Sequence, residues 1–224
     1  KQHLLGNFGF DVNYLPEYAF DFQKEIITKA IKKGRMAIFA DTGLGKTLMQ
    51  ISIAKNIVNH TNKKVMIITP LAVAFQFILE AEKMGISDIE YSKDGKHTKK
   101  IVVCNYERLH YFNELDFEGV ILDESSILKN LDGKIKSQVT AFVKKIPYRF
   151  LSTATPSPND FIELGTSSEA LGYMGYMDMM TKFFKNNQNS VDSTNRNIGE
   201  KFYLKPHAEK DFFAWVNQWS IMCK

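Results

Sequence analysis

A glycine-rich loop that follows a short apolar run and opens a helical pattern is the feature that most constrains the fold of this chain. Residues 40–47 read Ala-Asp-Thr-Gly-Leu-Gly-Lys-Thr, directly after the apolar residues 36–39. Glycines let successive main-chain N–H groups point into one concavity, and the start of the helix adds the positive end of its dipole. A loop in this context predicts a strand–loop–helix unit that binds the phosphates of a nucleotide.

Each residue type in the loop has a role in this interpretation. Lys46 would reach the β- and γ-phosphates as a point charge, and the Thr47 hydroxyl would ligate Mg²⁺. Ala40 replaces the usual first glycine, but its small side chain still permits the turn. A glycine-rich turn without a ligand has a similar composition, yet Gly-Lys-Thr in register between strand and helix favours the nucleotide. The predicted cofactors are ATP and Mg²⁺, and the predicted nucleotide-binding residues of the loop are Thr42, Gly43, Leu44, Gly45, Lys46 and Thr47.

Hydrophobic periodicity predicts an α/β fold with a mostly parallel sheet and helices on both faces. Short β-rich runs alternate with helical patterns, as in stacked βαβ units. The predicted strands are 35–40, 64–69, 100–104, 119–123 and 148–152. The predicted crossover helices are 46–60, 72–84, 105–112 and 133–145, with a further amphipathic helix at 20–32 and a helical appendage at 206–219.

Two of the predicted strands end in polar residues that suit phosphoryl chemistry. The run 119–123 ends at Asp123, followed by Glu124. Open parallel sheets place ligands at the carboxyl ends of their strands, so Asp123 would hold Mg²⁺ through water and Glu124 would orient or deprotonate the attacking water. Lys46, Asp123 and Glu124 are therefore the predicted catalytic residues. The run 148–152 ends in the hydroxyls of Ser152, Thr153 and Thr155, which are predicted to couple the acidic pair to the moving parts of the site by hydrogen bonds.

Composition restricts the partners and the compartment. A net charge of +4 and a pI near 8.8 permit a phosphate-rich partner but fall short of the pI above 9 of a dedicated nucleic-acid-binding domain. The two cysteines, Cys104 and Cys223, have no spacing typical of a metal cluster or a disulfide framework, which favours a reducing cytoplasmic setting. No apolar stretch approaches 18 residues, so no membrane segment is expected. Because the chain does not begin with Met, we expect a fragment of a longer protein.

The order of these motifs resembles the superfamily 2 helicases, and among them the Swi/Snf-type double-stranded DNA translocases. Gln23 looks like the adenine-reading glutamine of that group, and residues 41–47 match its phosphate-binding motif. Residues 69–71 and 105–107 resemble the two segments with which the group contacts nucleic acid. Residues 123–126, followed by 128–130, resemble its Asp-Glu-Ala-His box and Lys-Asn tail. Residues 152–156 resemble its coupling motif. The resemblance implies a RecA-like lobe, an ATP hydrolase and a duplex DNA partner. It also implies that the nucleic-acid contacts come from Thr69, Pro70, Asn105 and Tyr106.

The sequence departs from that group at two positions. Ser126 stands in place of the histidine of the box, so coupling there is expected to pass through hydroxyls. Phe20 stands where many Swi/Snf-type proteins have an arginine, which leaves adenine recognition to Gln23 and to stacking. Residues 163–166 and 205–219 are similar to phage and prophage members of the group, which implies the cytoplasm of a bacterium or of a phage-infected host.

The predicted division is an N-terminal extension at 1–19, a RecA-like lobe at 20–165 and a family-specific extension at 166–224. That extension would contain a polar loop at 186–197. The family uses a second RecA-like lobe that supplies arginine fingers, and no second βαβ series is predicted after residue 156. We therefore expect slow hydrolysis by this chain alone. Two alternatives remain open: a P-loop kinase, which has no obvious need for Asp123 and Glu124, and a binding module switched by nucleotide.

Overall fold

Seven parallel strands form the central sheet of this computed structural model. The structure describes residues 8–125, 133–154, 161–186 and 202–223. The strands are β1 (Arg35–Ala40), β2 (Lys64–Thr69), β3 (Ile89–Tyr91), β4 (Ile101–Asn105), β5 (Phe117–Asp123), β6 (Tyr148–Thr153), β7 (Phe184–Asn186), β8 (Phe202–Leu204) and β9 (Ser220–Cys223). The order of the strands in the central sheet is β3-β4-β2-β5-β6-β1-β9. Strands β7 and β8 form a separate antiparallel pair.

Helices cover both faces of the sheet, as predicted. They are α1 (Asp21–Lys33), α2 (Lys46–Thr61), α3 (Ala74–Lys83), α4 (Gly133–Lys145), α5 (Leu164–Leu171), α6 (Tyr176–Phe183) and α7 (Glu209–Trp219). Neighbouring residues of β1 belong to two different apolar cores, one on each face of the sheet. Ile38 packs with buried residues of α1, α2 and α3, whereas Phe39 packs with buried residues of α4 to α7. None of the described helices combines the length and the apolar character needed to cross a membrane.

Local structure differs from the prediction at four places. The predicted helix at 105–112 is a 3-10 segment, Tyr106–Tyr111, which follows β4 directly. The short strands β3 and β9 and the β7–β8 pair were not predicted, because three or four residues are too few to establish a period of two. The predicted polar loop at 186–197 lies, apart from Asn186, outside the described residues.

The last described residues belong to the same sheet as the first strand. Helix α7 leads into β9, which runs parallel to β1 with Ala40 opposite Cys223. The ring of Trp219, at the end of α7, is fully buried and makes an edge contact with Phe39 of β1. Residues 209–223 therefore complete one edge of the sheet and the core beneath it, although the predicted division places them in the extension.

Candidate active site

The parallel sheet brings the chemistry-bearing residues to one edge. The phosphate-loop sequence follows the carboxyl end of β1, and Asp123, Thr153 and Thr69 are the last residues of β5, β6 and β2. Since β1 pairs with β6, β6 with β5 and β5 with β2, these ends are neighbours. This is the edge at which open α/β sheets bind ligands.

The glycine-rich loop has the backbone of an anion cradle. Gly43 and Gly45 have φ angles of 88° and 74°, in the left-handed region that glycine adopts without a steric penalty. Gly45 is the N-cap of α2, and the space where a side chain at Gly43 would project is open for 4 Å. The loop between β1 and α2 therefore leaves room for a phosphate at the positive end of a helix of 16 residues.

Lys46 is half-buried and curls over this loop. Its Nζ donates to the main-chain oxygen of Ala40 at 2.9 Å and to that of Asp41 at 3.1 Å. A phosphate oxygen accepts a stronger, charge-assisted hydrogen bond than a neutral carbonyl does, so the ammonium group can exchange these partners for a phosphate. Thr47, the next residue of α2, is also half-buried, in the first turn where a metal ligand would lie.

Gln23 lies against the phosphate loop rather than in an open base site. Its side chain is 5% exposed, and its Nε2 donates to the main-chain oxygen of Leu44 at 3.0 Å. Its Oε1 accepts from the main-chain N–H of Phe20 at 3.0 Å. Phe20 is 68% exposed and stacks with Phe22 at a centroid distance of 6.0 Å, so an aromatic face is available beside the loop.

The carboxylate of Asp123 is buried and held on both oxygens. Nε2 of Gln50 donates to Oδ1 at 2.7 Å, and Oγ1 of Thr69 donates to Oδ2 at 2.9 Å. Burial raises the pKa of Asp123, while these two hydrogen bonds and the charge of Lys46 act in the opposite direction. The net pKa is raised, and the two donors offset part of the cost of holding the ionised form that a cation requires.

Unpaired polar atoms beside Asp123 fit a hydrated cation. Within the described chain, Oε1 of Gln50 and Oγ of Ser152 are buried without a hydrogen-bond partner. Ser152 is the register partner of Asp123 on β6. Buried polar atoms of this kind are usually satisfied by ordered water. Asp123 holding Mg²⁺ through water is compatible with this donor set.

Glu124 has a special backbone conformation directly after the strand. Its φ is 49°, one of two positive values among the described non-glycine residues. Its Oε1 accepts a hydrogen bond from Oγ1 of Thr153 at 2.7 Å. The structure thus joins the acidic pair to the strand end of β6 through Thr153. Thr155, the third predicted coupling residue, and Ser126 lie outside the described residues.

Three of the four residues that the resemblance assigns to nucleic-acid contacts have buried side chains. Thr69, Asn105 and Tyr106 are 0%, 4% and 2% exposed. Thr69 binds Asp123 as described, the Tyr106 hydroxyl donates to the main-chain oxygen of Asp123 at 2.7 Å, and Asn105 Oδ1 accepts from Tyr91 at 2.6 Å. Pro70 is half-buried. Each of these three side chains thus has a hydrogen-bond partner inside the lobe.

Gln50 is a site residue that the sequence interpretation missed. It lies one turn after Lys46 on α2 and is 1% exposed. A signal was present, since Gln50 is a polar residue in the run Leu-Met-Gln-Ile-Ser-Ile, whose other large side chains are apolar. An uncharged polar side chain that is buried needs a partner, and the carboxylate of Asp123 at the end of β5 was an available acceptor.

A separate cleft of about 830 Å³ opens on the face of the sheet that α4, α5 and α6 cover. Its walls come from α4, α5 and α6 and carry charges of both signs, including Lys136, Lys144 and Glu169. Only Ser125 and Thr153 connect it to the acidic pair, and no residue of the phosphate loop lines it. The cleft therefore lies apart from the edge of the sheet that carries the predicted nucleotide-binding residues.

The sequence matches a family of known proteins and resembles a curated relative. The profile of the DEAD/DEAH box helicase family matches residues 20–163. The DNA annealing helicase and endonuclease ZRANB3 of Bos taurus is 29% identical over 168 residues, which cover 67% of this chain and 16% of that protein.

Solved structures show the same fold. The Sulfolobus solfataricus SWI2/SNF2 ATPase core in complex with double-stranded DNA superposes with a TM-score of 0.69 and 18% identity, over 100% of this chain and 46% of that one. The UvsW helicase from bacteriophage T4 superposes with a TM-score of 0.56 and 15% identity, over 75% of this chain and 61% of that one. The chain thus spans less than half of that SWI2/SNF2 core and a small part of the curated relative. It belongs to the DEAD/DEAH box helicase family and has the fold of an N-terminal RecA-like lobe of the superfamily 2 Swi/Snf type.

Proposed function

We propose that this chain is the ATP- and Mg²⁺-binding lobe of a nucleic-acid-dependent ATPase that moves on duplex DNA. The observation that carries the proposal is the joint placement of Lys46, Asp123 and Glu124 at one sheet edge. Asp123 is held there by two donors and Glu124 by a third, which suits a site that hydrolyses a phosphoanhydride.

The phosphate loop would bind the triphosphate through main-chain N–H groups. Thr42, Gly43, Leu44 and Gly45 line the loop, and the exposed position of Gly43 gives an anion access to them. Lys46 would leave the oxygens of Ala40 and Asp41 and pair with the β- and γ-phosphates. Gln23 supports the proposal indirectly, because its bond to Leu44 orders the loop.

Thr47 and Asp123 are the residues that would hold Mg²⁺. When bound, the ion neutralises charge on the phosphate oxygens. Hydrogen bonds from Gln50 and Thr69 hold the Asp123 carboxylate in its orientation. The buried hydroxyl of Ser152 lies beside it, where a water ligand of the ion would find an acceptor.

Glu124 is the proposed general base. Its carboxylate would accept a proton from the water that attacks the γ-phosphorus, while the bond from Thr153 keeps the side chain in one orientation. Ser152, Thr153 and Thr155 would report the state of the γ-phosphate to the rest of the protein. Coupling through Thr153 has direct geometric support in the bond to Glu124.

The nucleic-acid partner is proposed from the family and from relatives. ZRANB3 is named a DNA annealing helicase, and the Sulfolobus core was solved in complex with double-stranded DNA. The net charge of +4 is compatible with such a partner. Because the side chains of Thr69, Asn105 and Tyr106 are buried, contact in these segments would use main-chain groups and exposed neighbours such as Leu71 and Arg108.

A second RecA-like lobe of the same parent protein is part of the proposal. The chain covers 46% of the Sulfolobus core that it matches. An arginine finger from a second lobe is worth about 10³ to 10⁵ in rate in related phosphoryl-transfer enzymes, so the lobe alone should hydrolyse ATP slowly. The resemblance of residues 163–166 and 205–219 to phage and prophage proteins supports the cytoplasm of a bacterium or an infected host as the setting.

The decisive experiment measures ATPase activity of the full-length parent with duplex DNA, single-stranded DNA, RNA and no nucleic acid. We expect duplex DNA to stimulate the most. Glu124→Gln should keep Mg²⁺-ATP affinity and lose hydrolysis, whereas a module that uses nucleotide only as a switch would lose little function. The proposal fails if no nucleic acid stimulates hydrolysis, or if the γ-phosphate is transferred to a small acceptor rather than to water.

A further inference from the structure

Two hydroxyl groups from different strand ends converge on Asp123. Thr69, the last residue of β2, donates to the carboxylate at 2.9 Å. Tyr106, the first residue after β4, donates to the main-chain oxygen of the same residue at 2.7 Å. Both donors are almost fully buried, so water does not compete for these bonds.

Each of the two donors lies within two positions of exposed residues. Thr69 and Pro70 are followed by Leu71, which is 58% exposed. Tyr106 is followed by the exposed residues Glu107 and Arg108 in the 3-10 segment Tyr106–Tyr111. A ligand that contacts Leu71, Glu107 or Arg108 would therefore lie at most two positions along the chain from a hydroxyl that binds Asp123.

The two bonds control different parts of the acidic pair. Thr69 fixes the carboxylate of Asp123, together with Gln50 from α2. The oxygen that Tyr106 binds belongs to the peptide between Asp123 and Glu124, which sets the direction of the Glu124 side chain. Because Glu124 has a φ of 49°, a small rotation of that peptide changes where its carboxylate lies.

We propose that Thr69 and Tyr106 are positioning residues that transmit nucleic-acid binding at the segments after β2 and β4 to the acidic pair. The inference rests on the proposed function and adds to it a physical route between the two sites. The route is short, since each segment reaches Asp123 through one side chain. It gives these buried residues a role other than direct contact with nucleic acid.

The test compares hydroxyl-deleting variants in the full-length parent protein. Tyr106→Phe and Thr69→Val each remove one bond to Asp123 while nearly keeping the shape of the side chain. We expect the ratio of the ATPase rate with saturating duplex DNA to the rate without DNA to fall about fivefold. The affinity for duplex DNA should stay within about twofold of the wild type, because neither side chain is exposed.

Two controls separate positioning from a general loss of structure. Tyr91→Phe removes a hydroxyl that binds Asn105 in the same region but does not reach Asp123, so its stimulation ratio should match the wild type. Thr69→Ser keeps a hydroxyl and should restore the ratio lost in Thr69→Val. The Mg²⁺ concentration for half-maximal activity should rise in Thr69→Val and return in Thr69→Ser, and urea unfolding of each variant checks the fold.

The inference is overturned if both deletions keep the wild-type ratio, or if the rates with and without DNA fall in equal proportion. If Tyr106→Phe does not fold, the Thr69→Val and Thr69→Ser pair decides the matter alone. A wild-type parent that no nucleic acid stimulates refutes the proposed function and removes this inference with it. A stimulated wild type with unaffected variants refutes only the inference.

Discussion

The side-chain amide of Gln23 donates to the main-chain oxygen of Leu44 at 3.0 Å, which ties the start of α1 to the phosphate loop. Its other end accepts from the N–H of Phe20. A glutamine engaged at both ends is organised to hold the loop, whereas the resemblance assigns it to the adenine base. The two roles predict different nucleotide selectivity.

Replacing Gln23 by Ala should weaken ATP and GTP binding to a similar extent, by about fivefold, because one hydrogen bond to the loop is lost. Fluorescence titration with both nucleotides measures this. Gln76→Ala, at an exposed glutamine of α3, is the matched control. Loss of ATP affinity with unchanged GTP affinity would instead establish Gln23 as a base reader.

Replacing Gln50 by Leu should raise the Mg²⁺ requirement of the ATPase about tenfold, since a residue that orients a metal ligand typically contributes on this scale. Nucleotide binding in EDTA should change little, because Gln50 contacts Asp123 and not the loop. Titration of activity and of nucleotide affinity with MgCl₂ tests both statements. An unchanged Mg²⁺ dependence would show that Thr69 alone suffices to hold the carboxylate.

Asp123→Asn should stabilise the lobe at pH 7 while it removes hydrolysis. Burial raises the pKa of Asp123, so folding favours its protonated form. The protonated carboxyl stabilises the folded lobe below the ordinary pKa of an aspartate, and this stabilisation is lost as pH rises through the pKa of the folded state. At neutral pH the carboxylate is charged, and its burial lowers the free energy of unfolding. The gain of the variant in urea unfolding should therefore shrink as pH falls toward 4. A variant that is less stable at pH 7 would contradict this sign.

Thr153→Val should slow single-turnover hydrolysis by about 10- to 100-fold, because Glu124 loses the bond that orients it, and general base catalysis depends on that geometry. Nucleotide affinity should stay near the wild-type value. Thr140→Val is a matched control: its hydroxyl binds the oxygen of Lys136 within α4, away from the acidic pair. Equal rates in the two variants would remove Thr153 from the coupling role.

Trp219→Ala should destabilise the lobe by about 3–5 kcal/mol, the usual cost of emptying a large buried aromatic site. The ring is fully buried against Phe39 of β1, so its removal also weakens the packing of the strand that leads into the phosphate loop. Phe213→Ala, whose ring is 38% exposed, should cost about 1 kcal/mol or less. Urea unfolding compares the two; similar small losses would mean that residues 166–224 are an independent unit.

The elements that the sequence predicted well have long or repeated signals. The strands of the βαβ series lie within a few residues of their predicted bounds, because a short apolar run followed by a helical pattern leaves few alternatives. The phosphate loop and the acidic pair are recognisable from residue types whose spacing the chemistry dictates. Strand order was not predicted, since β1 neighbours β6 and β9 through contacts between residues more than 100 positions apart.

The partners of site residues are harder to predict than the residues themselves. The resemblance to the helicase group implies nucleic-acid contacts for Thr69 and Tyr106 but says nothing of their partners inside the lobe. The structure turns both inward, where Asp123 accepts their hydroxyls. Gln50 was missed because sequence spacing does not reveal which helix faces which strand end.

The left-handed backbone at Glu124 has a consequence for how this lobe can be engineered. A non-glycine residue at a φ of 49° costs roughly 1 kcal/mol or more relative to a residue that favours this region. Glycine or asparagine at this position would relieve the strain and also remove the carboxylate. Selection of variants for thermal stability alone would therefore enrich better-folded proteins that no longer split ATP, so a stabilised lobe should be screened for turnover and not for melting temperature only.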